Sequence, residues 1–259
     1  MIQAFLSIIL VFPASFIFYA LSERAIAKHE SRVGREILIG NFFVQTWFDS
    51  WEDLKSHRSL IYWFIFTLQC SIVFLFEIDV EYLLFIYLAL NAIALVCLSP
   101  ANHDAIAKIE ADRNEVKYAL STTISLLCIF CCFTLSKSTS LVQIHWSWIE
   151  VFFVVPFQLA GMILFGEQPF QGMSAKPMWT ESLRFYIWSM LCVQLFMGGG
   201  FLLVDLHLKA AIIYWAFRVA GIYFPRFQQR DLLRIGILYL FPLTGLLWLA
   251  VMLYGGISV

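Results

Sequence analysis

Charged residues are scarce in this chain. Only 14% of its 259 residues are Asp, Glu, Lys or Arg, against about 25% in a typical soluble domain. Hydrophobic residues make up 61% and occur in long blocks rather than dispersed along amphipathic elements. These features exclude an ordinary soluble globular domain and predict an all-α integral membrane protein. The formal net charge of -1 gives no indication of a nucleic-acid partner.

Histidine and cysteine are too scattered to predict a cofactor site. The five histidines fall at the ends of apolar blocks or between them, which disfavours a b-type haem protein, because haem needs axial histidines inside the bundle. Cys128 and Cys131 form a C-x-x-C motif without a nearby histidine or second cysteine pair. We interpret the cysteines as packing residues and predict neither a disulfide framework nor a metal site.

The chain also has no phosphate-binding loop and no internal repeat. The glycine run in 197–200 lies inside an apolar block, where glycines favour close helix approach. Pro13, Pro156 and Pro242 interrupt three blocks but are not placed symmetrically in two halves. Their placement weakens the case for a secondary transporter built from repeats.

Eight apolar blocks are long enough to form membrane-spanning helices, since about 20 apolar residues cross a hydrocarbon core of about 30 Å. The predicted spans cover residues 2–21, 59–77, 81–99, 119–135, 148–165, 182–202, 206–223 and 235–255. The whole chain, 1–259, is predicted to form a single transmembrane domain with about eight helices.

Basic residues are concentrated on one side of these spans. All but two of the 17 Lys and Arg residues lie in, or at the span ends beside, four segments; only Lys137 and Lys209 fall on the other side. The basic segments are 22–58, 100–118, 166–181 and 224–234. Because cytoplasmic or matrix loops are enriched in Lys and Arg, this side is predicted to be inside and both termini outside.

A different pattern occupies residues 40–55. Apolar side chains recur at steps of three and four residues, while polar and acidic ones occupy the other face. The apolar set is Phe43, Val44, Trp47, Phe48, Trp51 and Leu54. This pattern predicts an amphipathic helix lying in the membrane interface. Its acidic polar face suits a protein partner or a polar chamber, although a simple interfacial anchor remains an open alternative.

Three stretches carry charged and polar residues in an order and spacing that are similar to those of one family of membrane proteins. The first contains Glu23, Arg24, Arg32, Gly34, Gln45 and Asp49, similar to the family pattern E-R-K…R-x-G-P…Q-P-x-A-D. The second runs from Glu181 to LFMGG at 195–199, similar to A-E-Y-x-N…L-F-L-G-G. The third comprises Arg218, FPRFQQRDLLRIG at 224–236 and Pro242, similar to V-R…P-R-F-R-Y-D-Q-L-M-R-L-G…P. Together the three stretches resemble the family of NADH dehydrogenase subunit 1, the quinone-chamber membrane subunit of respiratory complex I. Membrane subunits of energy-converting hydrogenases share the pattern.

The chain departs from this family in the third inside segment and in the last span. FGEQPFQG at 165–172 has Gln171 where the family has an aspartate, and the acidic stretch that follows is about half missing. The inside loop 166–181 is therefore a shortened version of the family's. Leu238 also stands where the family has a lysine.

The resemblance implies a subunit of a proton-translocating NADH:ubiquinone reductase that holds no redox centre itself. In that family the subunit forms the membrane part of a chamber for ubiquinone, the substrate. Hydrophilic-arm subunits carry NADH, FMN and iron-sulfur clusters, and small membrane subunits and lipid surround it. This chain is expected to bind no metal or flavin.

The resemblance also implies roles for individual residues. Expected quinone-chamber residues are Arg24, Phe43, Gln45, Trp47, Trp51, Arg218 and Arg226. Expected proton-coupling residues are Glu23, Asp49 and Glu181. A structural role remains open for each acid: Glu23 in an ion pair with Arg24, Asp49 on a solvated face, and Glu181 at a helix N-terminus where it would complement the dipole.

Two other classes of function remain open. One is a quinone-free, ion-coupling subunit of a hydrogenase-type complex, and the other is an unrelated eight-span transporter. The 26 phenylalanines, whose codons are T-rich, favour a mitochondrial genome and the mitochondrial inner membrane. The bacterial plasma membrane is the alternative location.

Overall fold

The computed structural model describes scattered positions between 6 and 21, Leu84 with 87–90, and five longer segments. These segments are 105–136, 150–165, 175–198, 203–223 and 234–257. Every element in this part of the chain is helical and no strand occurs there, which confirms the predicted all-α class for the described residues. The predicted amphipathic helix at 40–55 and the span at 59–77 lie outside them.

Five α-helices form the described part of the bundle. They are α1 Ala105–Ser136, α2 Val154–Phe165, α3 Ala175–Phe196, α4 Leu203–Tyr223 and α5 Phe241–Ile257. A short 3-10 helix, Glu150–Phe153, leads into α2, and a π-helical turn, Gly236–Leu240, leads into α5. Helix α1 packs against α2 and α5, while α3 packs between α2 and α4.

Helix α3 begins and ends earlier than the sequence predicted. It starts at Ala175, so the final part of the predicted loop 166–181 is helical. It ends at Phe196, and Gly198 adopts a left-handed conformation with φ 72°. Glycine favours this conformation because it has no Cβ to clash with the backbone. The prediction that the glycine run at 197–200 lies inside a span is therefore wrong for its described residues, Met197 and Gly198, which follow the end of α3.

Two stretches among the described residues are long and apolar enough to cross a membrane, Val116–Ser136 and Gly236–Leu253. The apolar parts of two other helices, Glu150–Ile163 and Leu183–Phe196, are shorter. Length and composition thus support two of the eight predicted spans, and the other six stay predictions.

The surface of the described bundle is apolar where a soluble protein would be polar. On α4, Val204, Leu208, Ile212 and Trp215 form an exposed stripe at steps of four and three residues. Helix α5 exposes a similar set: Leu243, Leu246, Leu249, Met252 and Leu253. Several polar and charged side chains are instead buried between helices. This distribution is typical of helices whose outer surface contacts lipid or another apolar subunit.

Pro242 explains the π-helical turn at the start of α5. Proline has no backbone N–H and its ring clashes with the carbonyl four residues earlier, here that of Leu238. The preceding turn widens, and the N–H of Phe241 donates to the carbonyl of Gly236, five residues back. The wider turn thus accommodates proline in a continuous helical segment.

Candidate functional site

One face of α1 carries a row of buried polar side chains and thiols. Lys117, Ser121, Ser125, Cys128 and Cys132 follow one another at steps of four, four, three and four residues. Residues at this spacing share one side of a helix. All five are buried, so the row faces the interior of the bundle.

Hydrogen bonds tie this row to α2 and α3. The hydroxyl of Ser121 donates to the carbonyl of Ala160 on α2 over 2.5 Å. The thiol of Cys132 donates to the carbonyl of Leu195 on α3 over 3.0 Å. The hydroxyl of Ser125 donates to the carbonyl of Ser121 within α1, over 2.8 Å. The row therefore lies where the three helices meet.

Gln158 on α2 and Ser189 on α3 are paired inside the same three-helix contact. The side-chain amide of Gln158 donates from Nε2 to Ser189 Oγ over 2.7 Å, and that hydroxyl donates to the carbonyl of Phe185 over 2.9 Å. Both side chains are fully buried. Gln158 Oε1 has no hydrogen-bond partner among the described residues.

Turning the amide of Gln158 over would not satisfy it. Oε1 would then face Ser189 Oγ, whose single hydrogen would have to leave the carbonyl of Phe185, and Nε2 would become the group without a partner. In either orientation one polar group of this buried amide lacks a partner in the described part of the chain. Buried polar groups are nearly always hydrogen-bonded to protein or to ordered water.

Aromatic packing fixes the position of α2 against α3 beside this pair. The ring of Trp188 stacks on Phe157 with 4.5 Å between centroids and 9° between planes. The indole Nε1–H of Trp188 donates to the carbonyl of Phe157 over 3.1 Å. Gly161 makes room for the indole, since a Cβ at that position would overlap Trp188 Nε1. Gln158 and Ser189, the next residues along each helix, are thereby held in register.

Charged side chains are buried at both ends of the row. Lys117 on α1 and Arg184 on α3 are only 4% and 3% exposed, and they lie towards the end of the bundle where α2 finishes. Glu150, 0% exposed, lies at the opposite end, where α2 is entered, within electrostatic range of the Cys132 thiol. Charged groups inside a membrane bundle are costly and are commonly functional.

These side chains together form what we call the polar column. Its members are Lys117, Ser121, Ser125, Cys128 and Cys132 of α1, Glu150 and Gln158 of the α2 segment, and Ser189 of α3. The column runs parallel to the axes of the antiparallel helices α1 and α2. Hydroxyl, amide, carboxylate and ammonium groups arranged this way can bind water and exchange protons.

A second polar contact joins α3 to α4. The hydroxyl of Tyr186 lies 3.1 Å from His207 Nδ1 and 3.3 Å from the carbonyl of the same residue. The Tyr186 ring stacks on Phe18 with 6.3 Å between centroids and meets Tyr214 edge-on at 5.9 Å. The sequence pattern places His207 near a span end and does not indicate this tyrosine partner.

Two of the ten predicted site residues lie on described helices, Glu181 on α3 and Arg218 on α4. The rings of Phe185 and Tyr214 are in contact, with 5.4 Å between centroids. Glu181 precedes Phe185 by four residues, and Arg218 follows Tyr214 by four. The two positions therefore lie at the same level of adjacent helices, one turn beyond that aromatic contact.

The structure also tests the alternative role of Glu181 as a helix N-terminal acid. Helix α3 starts at Ala175 and has no acidic residue in its first turn, so Glu181 lies too far along the helix for that role. The other eight predicted site residues lie outside the described residues: Glu23, Arg24, Phe43, Gln45, Trp47, Asp49, Trp51 and Arg226.

Sequence reasoning missed the polar column, although a signal was present. Polar residues at positions 117, 121 and 125 share a helical face, and Glu150 and Gln158 interrupt an otherwise apolar block. Among the residues with described side chains, no group of three or more His, Cys, Asp or Glu is arranged to hold a metal ion. The chain matches no protein-family model, and no curated protein is significantly similar to it.

Proposed function

We propose that this chain is the membrane subunit of a proton-pumping NADH:ubiquinone oxidoreductase, respiratory complex I, and forms the membrane part of its quinone chamber. One structural observation carries most of the support. Glu181 and Arg218 belong to two separate stretches that resemble the family, and they lie at the same level of the contacting helices α3 and α4. An acidic and a basic position thus lie at one end of a helix pair.

Quinone reduction requires the kinds of residue found at positions 181 and 218, an acid and a cation. Reducing a quinone to a quinol takes two electrons and two protons, so the headgroup needs positive potential and nearby proton donors. Arg218 supplies positive charge, and Glu181 is a carboxylate whose protonation responds to changes in neighbouring charge. In this proposal the electrons come from iron-sulfur clusters of partner subunits, which also hold FMN and oxidise NADH.

The remaining predicted chamber residues extend this assignment. Arg24 and Arg226 add positive potential, and Phe43, Gln45, Trp47 and Trp51 line the mouth through which quinone arrives from the lipid. Glu23 and Asp49 join Glu181 as proton-coupling carboxylates. An apolar slot with a few polar groups is the usual form of a site for such a ligand.

The charges of α4 are compatible with the proposed orientation in the membrane. Lys209, one of only two basic residues on the predicted outer side, forms an ion pair with Asp205 over 2.9 Å. The orientation itself rests on the other 15 basic residues, because the positive-inside rule counts Lys and Arg and gives little weight to carboxylates. The chain then has about eight spans, with both termini outside and its basic segments facing the arm. We assign it to the respiratory chain of the mitochondrial inner membrane, with the bacterial plasma membrane as the alternative.

Gentle purification of the native assembly tests this function. We expect the chain to migrate with iron-sulfur subunits that oxidise NADH and transfer electrons to quinone. Migration of the chain alone, without NADH-oxidising proteins, would overturn the proposal. A matched preparation in a stronger detergent, which separates peripheral subunits, controls for loss of the arm during purification.

A second candidate function is ion translocation without quinone. The buried Lys117, Arg184 and Glu150 favour it, because charged groups inside an apolar bundle commonly mark ion pathways. Such a chain would be either the hydrogenase-type subunit or a transporter. Bound quinone in the purified assembly, or inhibition by quinone-site ligands, would support the chamber function over both.

A further inference from the structure

We propose that the exposed face of α4 binds a phospholipid whose headgroup is zwitterionic and ends in a primary ammonium, the chemistry of phosphatidylethanolamine. The site consists of the ion pair between Asp205 and Lys209 and the exposed apolar stripe beside it. It rests on the prediction that α4 crosses the membrane. It does not rest on the quinone chamber, because both charged residues lie near the opposite end of α4 from Arg218.

Helix α4 has one face inside the bundle and one face outside it. The buried side, which includes Leu206, Ala210 and Tyr214, faces α3. At 3.6 residues per turn, the exposed positions and the ion pair together occupy less than half of the helix circumference. The exposed positions among the described side chains of α4 are Val204, Leu208, Ile212, Trp215 and Ala216. This face is therefore a continuous apolar surface with one ion pair near its end.

The ion pair lies where a lipid headgroup is expected. Asp205 is in the first turn of α4, immediately before the predicted span at 206–223. Lys209 is attached one turn further along, about 6 Å deeper in the membrane. Its Nζ reaches back towards the membrane surface and lies 2.9 Å from Asp205 Oδ2. The side chains of Lys209 and Asp205 are 32% and 35% exposed, so a headgroup can contact both.

The two charges match the headgroup in sign and in order. In phosphatidylethanolamine the phosphate is joined to the glycerol, and the ammonium lies beyond it, further from the acyl chains. The deeper Lys209 thus matches the phosphate, and Asp205 matches the ammonium. A lysine ammonium has three donors and a carboxylate accepts several hydrogen bonds, so each group can contact the headgroup while remaining in the ion pair. An anionic headgroup would be attracted by Lys209 but repelled by Asp205.

The apolar stripe is long enough for one acyl chain. From Val204 to Ala216 the helix advances by about 18 Å, at about 1.5 Å per residue. One leaflet contributes half of a hydrocarbon core of about 30 Å. An acyl chain whose headgroup is held by the ion pair can therefore contact the stripe throughout the leaflet.

The composition of the stripe favours a lipid over a neighbouring helix. Helices associate in membranes through small residues, which permit close approach, and through polar groups that hydrogen-bond across the interface. The exposed positions of α4 are instead large apolar side chains, apart from Ala216. Flexible acyl chains can follow such an uneven surface, whereas a second helix would be held away from it.

Photoreactive lipids with identical acyl chains test the site. Phosphatidylethanolamine, phosphatidylcholine and phosphatidylglycerol, each with a diazirine in the same acyl chain, would be added in equal amounts to bilayers containing the purified native assembly. Mass spectrometry of peptides then measures the lipid adducts on α4 and α5. Helix α5 is the matched reference, because it exposes Leu243, Leu246 and Leu249 but has no charged residue between Gly236 and Ile257.

We expect phosphatidylethanolamine to label 204–216 about threefold more than either other lipid, because it alone both donates to Asp205 and accepts from Lys209. Labelling of α5 should not depend on the headgroup. Equal labelling of α4 by all three lipids would show only non-specific lipid contact. Absence of labelling would show that another subunit covers this face, and either result would overturn the proposal.

Exchanging the two charges separates headgroup recognition from the ion pair itself. Asp205→Lys combined with Lys209→Asp keeps a pair but reverses its order, so the preference for phosphatidylethanolamine should disappear. Lys209→Arg keeps a cation at the deeper position and should retain the preference. A preference that survives the exchange would contradict recognition by these two charges.

A thermal unfolding curve for each variant separates loss of the lipid site from loss of the fold. The labelling experiment uses neither NADH nor quinone. Its outcome is therefore independent of whether the chain migrates with NADH-oxidising subunits.

Discussion

The indole Nε1–H of Trp188 donates to the carbonyl of Phe157 over 3.1 Å while the two rings stack. This contact joins α2 to α3 immediately beside Gln158 and Ser189. It depends on the absence of a side chain at Gly161, because a Cβ there would overlap the indole. The register of the polar column therefore depends on one glycine.

Gly161→Ala is expected to destabilise the protein by about 1–3 kcal/mol, the usual cost of overpacking a well-filled core. The added methyl group displaces the indole and weakens its bond to Phe157. Thermal unfolding of the purified assembly measures the effect. Gly245→Ala is the matched control: nothing lies within 4 Å of a Cβ there, so alanine should stabilise α5 by up to about 1 kcal/mol. Equal effects of the two substitutions would contradict this account of Trp188.

Ser189→Ala is expected to cost about 1–3 kcal/mol, because it leaves the second polar group of the buried Gln158 amide without a partner. Gln158→Leu removes the amide itself and should cost less. In the double variant, Gln158→Leu with Ser189→Ala, most of the loss caused by Ser189→Ala should disappear. A double-mutant cycle of unfolding free energies measures this coupling. Additive effects would show that the two side chains do not interact.

Tyr186→Phe is expected to lower the free energy of unfolding by about 1 kcal/mol, since it removes the hydroxyl that contacts His207 between α3 and α4. Tyr239→Phe is the control because Tyr239 is 67% exposed, and it should have little effect. Thermal unfolding compares the two. A larger loss for Tyr239→Phe would contradict the role of the Tyr186 contact.

Arg218→Gln is expected to lower NADH:quinone reductase activity by about tenfold, which corresponds to about 1.4 kcal/mol of lost transition-state stabilisation. The physical reason is the loss of positive charge at the end of α4 that we propose faces the quinone chamber. Electron transfer from NADH to a water-soluble acceptor reports on the arm alone and should not change.

Lys209→Gln controls for the effect of removing any charge from α4. Lys209 lies near the opposite end of the helix, where its ion pair with Asp205 is partly exposed, and such pairs contribute little to stability. Quinone reductase activity should stay near that of the native assembly. Equal losses in Arg218→Gln and Lys209→Gln would contradict a specific role for Arg218.

The extent of some helices was predictable, because the length of an apolar block sets the length of the helix that it forms. Helix α4, Leu203–Tyr223, agrees closely with the predicted span at 206–223. The end of α3 was not predictable from hydropathy, because apolar residues continue through Phe201 and Leu202 beyond the turn at Gly198. Its start was concealed by polar residues and by Pro177, although proline is tolerated in the first turn of a helix.

The candidate site was less predictable because it depends on helix register. The sequence identifies Gln158 and Ser189 as polar residues in apolar blocks, but their contact depends on the alignment of α2 with α3. That alignment is set by Trp188, Phe157 and Gly161, which separately resemble ordinary core residues. Likewise, the sequence alone does not show that positions 181 and 218 lie at the same level. That relationship follows from the ring contact between Phe185 on α3 and Tyr214 on α4.

Photolabelling with a reactive ubiquinone analogue tests the central claim most directly. In the purified native assembly, we predict labelling of this chain within 40–55 or near positions 181 and 218, and competition by excess ubiquinone. An analogue with the same isoprenoid tail but no quinone headgroup controls for simple partitioning into lipid. Labelling confined to other subunits, or labelling of this chain that excess ubiquinone does not suppress, would contradict a quinone chamber.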